Sequence, residues 1–385
     1  MEFSFTEEQL MIRDTAESFL KEVSTSSAIR NAMESERGFN DNTWQRLCTE
    51  MGWQATHIPE EYGGFGLGYV ELVIMLEQMG QYLFCSPFFS TVCLGANALL
   101  IAGSEAQKQR YLPQICEGSI TATLAYTGSS GSWDANAVDA TVSVKDNEYV
   151  LNGTYRYVPN GHTADVIIVA ARNTDTSGQN GISLFVLDAN TQGVSCEYLP
   201  TMDQTKKQAQ IVLENVVVSE QALMGEYANA WPLLDKIINL ATIATAAEQV
   251  GGAQQVLDLS VEYGKERVQF GRPIAGFQAV KHQAADMMQR TEVARSAIYY
   301  AACVAEEAIS GGLLANELSE AASVAKSYCS DCYFKNAGDA IQLHGGVGFT
   351  WEYDVHLYFK RAKSSEVFLG NGAYHREKIA QMLLD

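Results

Sequence analysis

Basic residues are scarce in this sequence. Its 385 residues include 26 Lys and Arg against 46 Asp and Glu, which gives a formal net charge of −20 at pH 7. Because an acidic chain repels phosphate backbones and anionic lipid headgroups, we expect no nucleic-acid surface and no anionic-membrane surface. Any polyanionic ligand has to be held by a local basic site.

Long apolar runs are missing as well. No stretch reaches 18 consecutive apolar residues without a charge. The N-terminal letters MEFSFTEEQLMIRD scatter charges where a secretory signal would have a basic segment followed by an apolar core. We therefore expect an untargeted, cytoplasmic protein with no membrane insertion.

Motifs for disulfides or metal ions are also lacking. The eight cysteines lie at irregular spacing inside apolar or helical runs, as buried thiols do in a reducing compartment. The one close pair, Cys329-Ser-Asp-Cys332, lies in a helical pattern with no second pair nearby, which favours helix packing over a zinc or redox site. No two histidines have metal-ligand spacing, so we predict structural histidines and no metal site.

The hydrophobic periodicity divides the chain into three parts. Residues 1–118 repeat their apolar positions every three or four residues, 119–222 every two, and 223–385 again every three or four. The pattern predicts an α+β protein with an N-terminal helical domain, a middle β-barrel or sandwich of about seven short strands, and a C-terminal four-helix bundle. The long helices of the last part are predicted at 228–265, 276–310 and 316–341.

A glycine- and proline-containing string separates two of these helices. The segment 266–278, ERVQFGRPIAGFQ, places two guanidinium groups beside an aromatic ring and an amide. Arg267 can form two parallel hydrogen bonds with a phosphate, and Gln278 can add a further one. In an acidic protein, this local basic turn suits a diphosphate. A plain corner between two helices is the alternative.

A second string, AIQLHGGVGFT at 340–350, ends the predicted third long helix. Adjacent glycines at a helix end allow the backbone to approach a ligand within contact distance. A simple helix cap and turn is again the alternative.

Taken together, the motifs resemble the acyl-CoA dehydrogenase family over essentially the whole chain. They are Arg267-x-x-Phe270-Gly271 with Gln278, Lys281-His-Gln-x-x-Ala-Asp-Met287, Gln342-x-x-Gly345-Gly346, Pro59-Glu-Glu-Tyr-Gly-Gly64 and Leu151-Asn-Gly with Asn160-Gly. The resemblance implies a tetrameric flavoprotein with one FAD per subunit. It also implies acyl-CoA substrates, which are dehydrogenated between the α and β carbons, and an electron-transfer flavoprotein as the electron acceptor.

The resemblance also assigns the cofactor-binding residues of the two helical strings. Arg267, Phe270 and Gln278 would reach the adenosine diphosphate part of the FAD in the neighbouring subunit. Gln342, Gly345 and Gly346 would line the same site.

The β-domain is expected to cover the flavin. In the loop 126–134, the resemblance assigns Tyr126 and Thr127 to the cofactor, and Ser132 and Trp133 to the substrate. Trp133 stands where the family usually has a serine. On the strand beside the flavin, Tyr157 matches the family's aromatic residue, but two residues later Pro159 replaces a threonine and so provides no side-chain donor.

The catalytic carboxylate is missing from both positions where the family carries it. The usual position corresponds to Leu369 and the minority position to Ala241, and neither side chain can accept a proton. Glu248 follows Ala241 by seven residues, so it lies on nearly the same helix face about 10 Å further along. Glu248 is predicted as the base; the alternatives are a structural pair or polar pocket residue, and a subunit that does no chemistry. Glu366 is a weaker candidate and is expected to be a solvated carboxylate.

The missing carboxylates, the small residues at 241–247 and the tail at 361–375 resemble a bacterial branch of the family. That branch acts on bulky or steroid-type acyl-CoA substrates, and two paralogous chains often form its heterotetramers. Three functions therefore remain open. They are a working dehydrogenase, a catalytically incomplete subunit of a heteromeric enzyme, and a flavin oxidase or monooxygenase on the same fold.

Overall fold

The computed structural model describes residues 5–384. Met1–Ser4 and Asp385, which belong to the first and third predicted domains, lie outside the described residues. The helices are α1 (Glu7–Val23), α2 (Ser26–Glu34), α3 (Asp41–Arg46), α4 (Tyr69–Gln81), α5 (Asn97–Ala102), α6 (Glu105–Glu117), α7 (Trp231–Glu266), α8 (Gln278–Ser310), α9 (Leu318–His344), α10 (Val355–Val367) and α11 (Gly372–Leu384).

The strands occupy the middle of the chain, apart from one short hairpin. They are β1 (Ala122–Ala125), β2 (Thr141–Lys145), β3 (Glu148–Pro159), β4 (Val166–Asn173), β5 (Ile182–Asp188), β6 (Val194–Leu199), β7 (Gln208–Val218), β8 (Leu223–Met224), β9 (Val268–Gln269) and β10 (Arg272–Pro273). The first seven fall within 119–222, so the predicted number of strands there is confirmed. The pair β9–β10 was not predicted, because two-residue strands leave no periodicity.

The described chain forms two compact units. The helical unit contains residues 5–31, 68–84 and 242–384, and the sheet unit contains residues 32–67 and 85–241. The sequence predicts three consecutive domains, whereas parts of the predicted first domain belong to each unit. This assignment depends on contacts between distant segments, which periodicity does not report.

In the helical unit, α9 packs against α8, α10 and α11, and α4 packs against α1 and α8. Glycines bring α4 and α7 together backbone to backbone, since a Cβ at Gly251 would collide with the Glu77 carbonyl. Close by, the buried Glu77 carboxylate accepts hydrogen bonds from Arg295 Nε at 2.9 Å and from the Tyr299 hydroxyl at 2.6 Å. A buried carboxylate is tolerated here because its charge is paired and its lone pairs are used.

In the sheet unit, strands β1–β8 join in one eight-stranded sheet. Its order is β6-β7-β3-β2-β4-β5-β8, with β1 added alongside β4 in parallel. Alternate side chains of these strands form a buried core that includes Leu151, Tyr155, Ile167, Phe185 and Ile211. The two-residue period of the sequence therefore marks the face that packs inward.

The three long C-terminal helices match their predicted ranges to within a few residues. Cys329 and Cys332 are buried thiols on α9, so the helix-packing interpretation of this pair is confirmed.

Among residues 5–384, no helix is both long and apolar enough to cross a membrane. Within the same range, no group of three or more His, Cys, Asp and Glu side chains is arranged to hold a metal ion.

Candidate active site

The first helical string forms a hairpin, not a plain corner. Strands β9 and β10 pair antiparallel, and Phe270 and Gly271 form the turn between them with φ angles of 53° and 78°. The Phe270 ring is 93% exposed. Arg267 and Gln278, at the two ends of the string, are exposed as well. The hairpin therefore presents a guanidinium, an aromatic ring and an amide to the outside of the subunit.

An aromatic stack connects the two helical strings. The Tyr263 ring, near the end of α7, lies 4.3 Å from the His344 ring at the end of α9, with 21° between their planes. Tyr353 meets both rings edge-on at 5.9 Å. Because Arg267 follows Tyr263 by four residues and Gly345 follows His344 directly, the stack brings the two predicted FAD-binding strings to one place.

The turn after α9 is open to a ligand. Gly345 has a φ of 62°, and a Cβ built on Gly345 or Gly346 would have no heavy atom within 4 Å. The side chain of Gln342 is exposed one turn earlier. The glycines thus create free space beside the backbone, which is what close approach of a ligand needs.

In the sheet unit, two predicted flavin-facing residues occupy adjacent segments. The Arg156 amide donates to the Thr127 carbonyl at 3.0 Å, and the Thr127 hydroxyl donates to the Arg156 carbonyl at 3.2 Å. Tyr157 comes next, at a register shift of the β3–β7 pairing, with a φ of 60° and 49% of its surface exposed. An aromatic residue in the left-handed region is strained, and such strain is typical of functional sites.

The loop 126–134 folds back on its own first residue. The Tyr126 side chain is buried, and its ring centroid lies 6.3 Å from that of Trp133. The Trp133 and Ser132 side chains are partly exposed. Pro159 lies at the end of β3, where its carbonyl accepts a 2.7 Å hydrogen bond from Thr123. The backbone of Pro159 is therefore used in the fold, although its side chain donates nothing.

Glu248 is a buried carboxylate on α7, with 9% of its surface exposed. The three residues before it, Thr245–Ala247, are almost completely buried. Its main chain packs on α4, since a Cβ at Gly80 would collide with the Glu248 carbonyl. The backbone of Glu248 is therefore fixed by its close contact with α4.

Leu369, at the family's usual base position, lies in the turn between α10 and α11. It is 2% exposed and has a φ of 58°, and Gly370 follows with a φ of 97°. A left-handed conformation costs an L-residue about 1–2 kcal/mol, so this turn needs support from its surroundings. Ala241, at the minority position, is completely buried on α7.

Lys326 on α9 supplies part of this support, and the sequence predictions did not include it. Its buried ammonium lies 2.9 Å from the carbonyl of Gly370, 3.0 Å from that of Ser365 and 3.1 Å from that of Glu366. Burial lowers the pKa of Lys326 to about 7. A lysine directly after the small-residue run Ala321-Ala-Ser-Val-Ala325 was the signal that could have revealed it.

Glu366 differs from its prediction. Its side chain is only 18% exposed and pairs with Lys363 at 2.8 Å, three residues earlier on α10. The expected solvated carboxylate is instead a partly exposed one in an ion pair. On a helix, residues three apart are neighbours, and the pairing shields the carboxylate from solvent.

Comparisons with known proteins show that the class of the protein is a flavin-dependent oxidoreductase. Three family profiles match consecutive parts of the chain. They are the N-terminal domain of acyl-CoA dehydrogenase at residues 6–119, the middle domain at 123–216 and the C-terminal domain at 231–384. The chain belongs to the acyl-CoA dehydrogenase family.

Individual relatives cover nearly all of the chain. An acyl-CoA dehydrogenase of Mycobacterium tuberculosis, IpdE2, is 34% identical over 94% of this chain and 93% of its own length. The structure of butyryl-CoA dehydrogenase from Megasphaera elsdenii matches with a TM-score of 0.90 and 27% identity over the whole of both chains. The structure of the ChsE4-ChsE5 complex from Mycobacterium tuberculosis matches with a TM-score of 0.89 and 26% identity, over 100% of this chain and 99% of that one. The predicted fold class is thereby confirmed.

FAD is the cofactor of this family, and the described residues fit it. The hairpin offers the exposed guanidinium of Arg267, and the turn after α9 offers open space at Gly345 and Gly346. Both features suit a diphosphate that approaches the backbone closely. When bound, FAD would supply hydride-acceptor chemistry to the site.

Proposed function

We propose that the protein introduces an α,β double bond into an acyl-CoA thioester, with Glu248 as the base. The observation that supports this most is a carboxylate held in the buried small-residue segment of α7, the helix on which a minority of the family carries its base. Desolvation of a carboxylate is costly, so a buried one is retained where it has a structural partner or a chemical task.

The chemistry assigned to Glu248 is the removal of the α-proton. A carboxylate does this once the thioester carbonyl is held by hydrogen bonds, which stabilise the negative charge that develops on its oxygen. The buried surroundings exclude water, and electrostatic interactions are stronger there than in solvent.

The proposal also assigns the cofactor and substrate contacts. The adenosine diphosphate part of the cofactor in the neighbouring subunit is held by Arg267, Phe270, Gln278, Gln342, Gly345 and Gly346. Tyr126, Thr127 and Tyr157 lie against the flavin, and Ser132 and Trp133 contact the substrate.

The substrate class and the acceptor belong to the same proposal. We infer a bulky or steroid-type acyl group, because six of the seven residues from Ala241 to Ala247 have small side chains, as in the family branch that the sequence resembles. An electron-transfer flavoprotein would take the electrons onward. We propose a tetramer, either of identical chains or with a paralogous chain.

A second candidate function has its own observation. Both family base positions hold buried apolar side chains, Leu369 and Ala241. A chain of this kind would serve as the catalytically incomplete subunit of a heteromeric enzyme, with the base supplied by a paralogue. The matched chain of known structure belongs to a complex of ChsE4 and ChsE5, which is compatible with that arrangement.

The deciding experiment is an anaerobic titration of the purified, FAD-reconstituted protein with a short straight-chain and a steroid-type acyl-CoA. Flavin absorbance is recorded for the wild type and for the Glu248→Gln variant. We expect one thioester to bleach the wild-type flavin, and the variant to lose at least about a hundredfold in rate, since general-base catalysis contributes 10²–10⁴-fold.

The matched control is Glu262→Gln, the same change on the same helix at an exposed carboxylate that pairs with Lys265. This variant should keep the wild-type rate. If Glu248→Gln bleaches as fast as the wild type, Glu248 is not the base. If FAD is bound at full stoichiometry and neither thioester bleaches the wild type, the incomplete-subunit function is favoured. Rapid reoxidation of the reduced protein in air would instead favour an oxidase.

A further inference from the structure

The turn between α10 and α11 is held by a buried cluster of donors. The Lys326 ammonium has four acceptors within 3.1 Å, namely the Ser330 hydroxyl and the carbonyls of Ser365, Glu366 and Gly370. An ammonium has three N–H groups, so its donor capacity is fully used by the turn and by one residue of its own helix.

His375 completes the cluster from the other side. Its Nε2 lies 2.9 Å from the Leu369 carbonyl, and its Nδ1 lies 3.3 Å from the Ser323 hydroxyl. Because a carbonyl only accepts, Nε2 carries the hydrogen and Nδ1 accepts from Ser323. The strained residue Leu369 and the following Gly370 thus each have their carbonyl oxygen bound by a buried side chain.

The same cluster reaches the helix of the proposed base. Gln249, next to Glu248, donates through Nε2 to the Ser330 hydroxyl at 3.1 Å and to the Ser365 hydroxyl at 3.2 Å. Ser330 is also an acceptor of Lys326. A continuous set of hydrogen bonds therefore connects α7 at residue 249 with the turn that carries residue 369.

We propose that Lys326 and His375 are positioning residues that hold residue 369 in its left-handed backbone conformation and so fix the direction of its side chain at the acyl site. This deepens the proposed function and rests on it for the acyl site. A carboxylate placed at 369 should therefore work as a base.

The first test measures the turn directly, with the FAD-loaded full chain. Amide hydrogen exchange of residues 366–372 is compared between the wild type, Lys326→Met and Lys335→Met. We expect exchange to rise by about tenfold or more in Lys326→Met, since each hydrogen bond from a charged group contributes about a tenfold factor or more. Lys335 lies on the same helix, is exposed and pairs with Asp339, so its variant should not change the turn.

Equal protection of the turn in Lys326→Met and the wild type would overturn the proposal. If Lys326→Met does not fold, His375→Phe takes its place. That variant removes the donor to the Leu369 carbonyl and retains an aromatic ring. The same increase in exchange is expected from it, and its absence overturns the proposal in the same way.

The second test uses the direction of the side chain at 369. In the Glu248→Gln background, Leu369→Glu should restore flavin reduction by an acyl-CoA at least about tenfold. Adding Lys326→Met should abolish this gain, but should lower the rate of the chain with Glu248 intact only about threefold. A general loss of structure would lower both rates equally, and that result would contradict a positioning role.

The dehydrogenase function and the role of Lys326 in the turn are tested separately. If no acyl-CoA reduces the wild-type flavin, the proposed function fails, and the exchange measurement still decides whether Lys326 holds the turn. If the wild type is active and Leu369→Glu restores nothing, the dehydrogenase function stands and the assignment of position 369 is overturned.

Discussion

Gly80 of α4 packs directly on the main chain of Glu248 in α7. A Cβ built at Gly80 would overlap the Glu248 carbonyl oxygen, and a Cβ at Gly251, one turn further along α7, would overlap the carbonyl of Glu77. The two helices therefore touch through paired glycines, and the proposed base lies at this contact.

We expect Gly80→Ala to shift the turn of α7 that carries Glu248. Overpacking of this kind costs about 1–3 kcal/mol of stability, and the proposed base moves with its backbone. The variant should bind FAD but reduce its flavin about tenfold more slowly in an anaerobic titration, since displacement of a catalytic group by about 1 Å is costly. Gly338→Ala is the matched control. Its Cβ would meet the Phe359 ring at an ordinary 3.9 Å, so stability and rate should be kept.

We expect the affinity for FAD to depend on the hairpin at 267–273. If Arg267 binds the diphosphate, Arg267→Ala removes charge-assisted hydrogen bonds, each of which contributes about 1.5–3 kcal/mol. We expect FAD to dissociate at least about tenfold more readily, as measured by the fluorescence of the released flavin. The control is Lys265→Ala, two residues earlier, where the ammonium is exposed and pairs with Glu262. Equal FAD retention by both variants would exclude the role of Arg267.

The strain at Tyr157 can be measured with a pair of substitutions. Because its φ is 60°, Tyr157→Gly should be more stable than Tyr157→Ala by about 1 kcal/mol in chemical denaturation. At the preceding residue the order should reverse. Arg156 lies in β3 outside the left-handed region, so glycine there should be less stable than alanine by about 0.5–1 kcal/mol. The same order at both positions would contradict a strained Tyr157.

The stability of the protein should fall in mild acid because of buried His57. Its Nε2 lies 2.8 Å from Asn97 Oδ1, and burial lowers its pKa to about 4. An unfolded histidine has a pKa of about 6.5, so the unfolded chain takes up the proton first as the pH falls. The contribution of neutral His57 to the free energy of unfolding is therefore complete above pH 6.5. About 3 kcal/mol of this free energy is lost as the pH falls from 6.5 through 4. His57→Gln should flatten this part of the profile of unfolding free energy against pH, and an unchanged slope would contradict the assignment.

Much of the fold was predictable because periodicity is a local property. The three long C-terminal helices and the seven strands of the middle segment follow from repeats of 3.6 and 2 residues. The strings at 266–278 and 340–350 were singled out from their Gly, Pro and Arg residues as candidate ligand-binding strings, with a plain helix corner and a simple helix cap as the alternatives. The resemblance to the acyl-CoA dehydrogenase family joined these strings to one cofactor.

Three features of the site could not be read from local patterns. The stack of Tyr263 on His344 joins side chains 81 positions apart, and neither residue belongs to a motif that requires the other. The burial of Lys326 depends on where the turn between α10 and α11 docks. The pairing of Glu366 with Lys363 was missed because a local pattern does not show how much solvent a helix face retains.

The sequence by itself determined the class of the protein. The class follows from local properties of the chain, namely the order of helical and strand segments, the acidic composition and the family motifs. Only the tertiary structure decided how the site is supported. The backbone contact of Gly80 with Glu248 and the binding of the strained turn by Lys326 and His375 join segments far apart in the chain. The physical reason is that burial and hydrogen bonding are properties of the packed chain, and a residue acquires them only when distant segments meet.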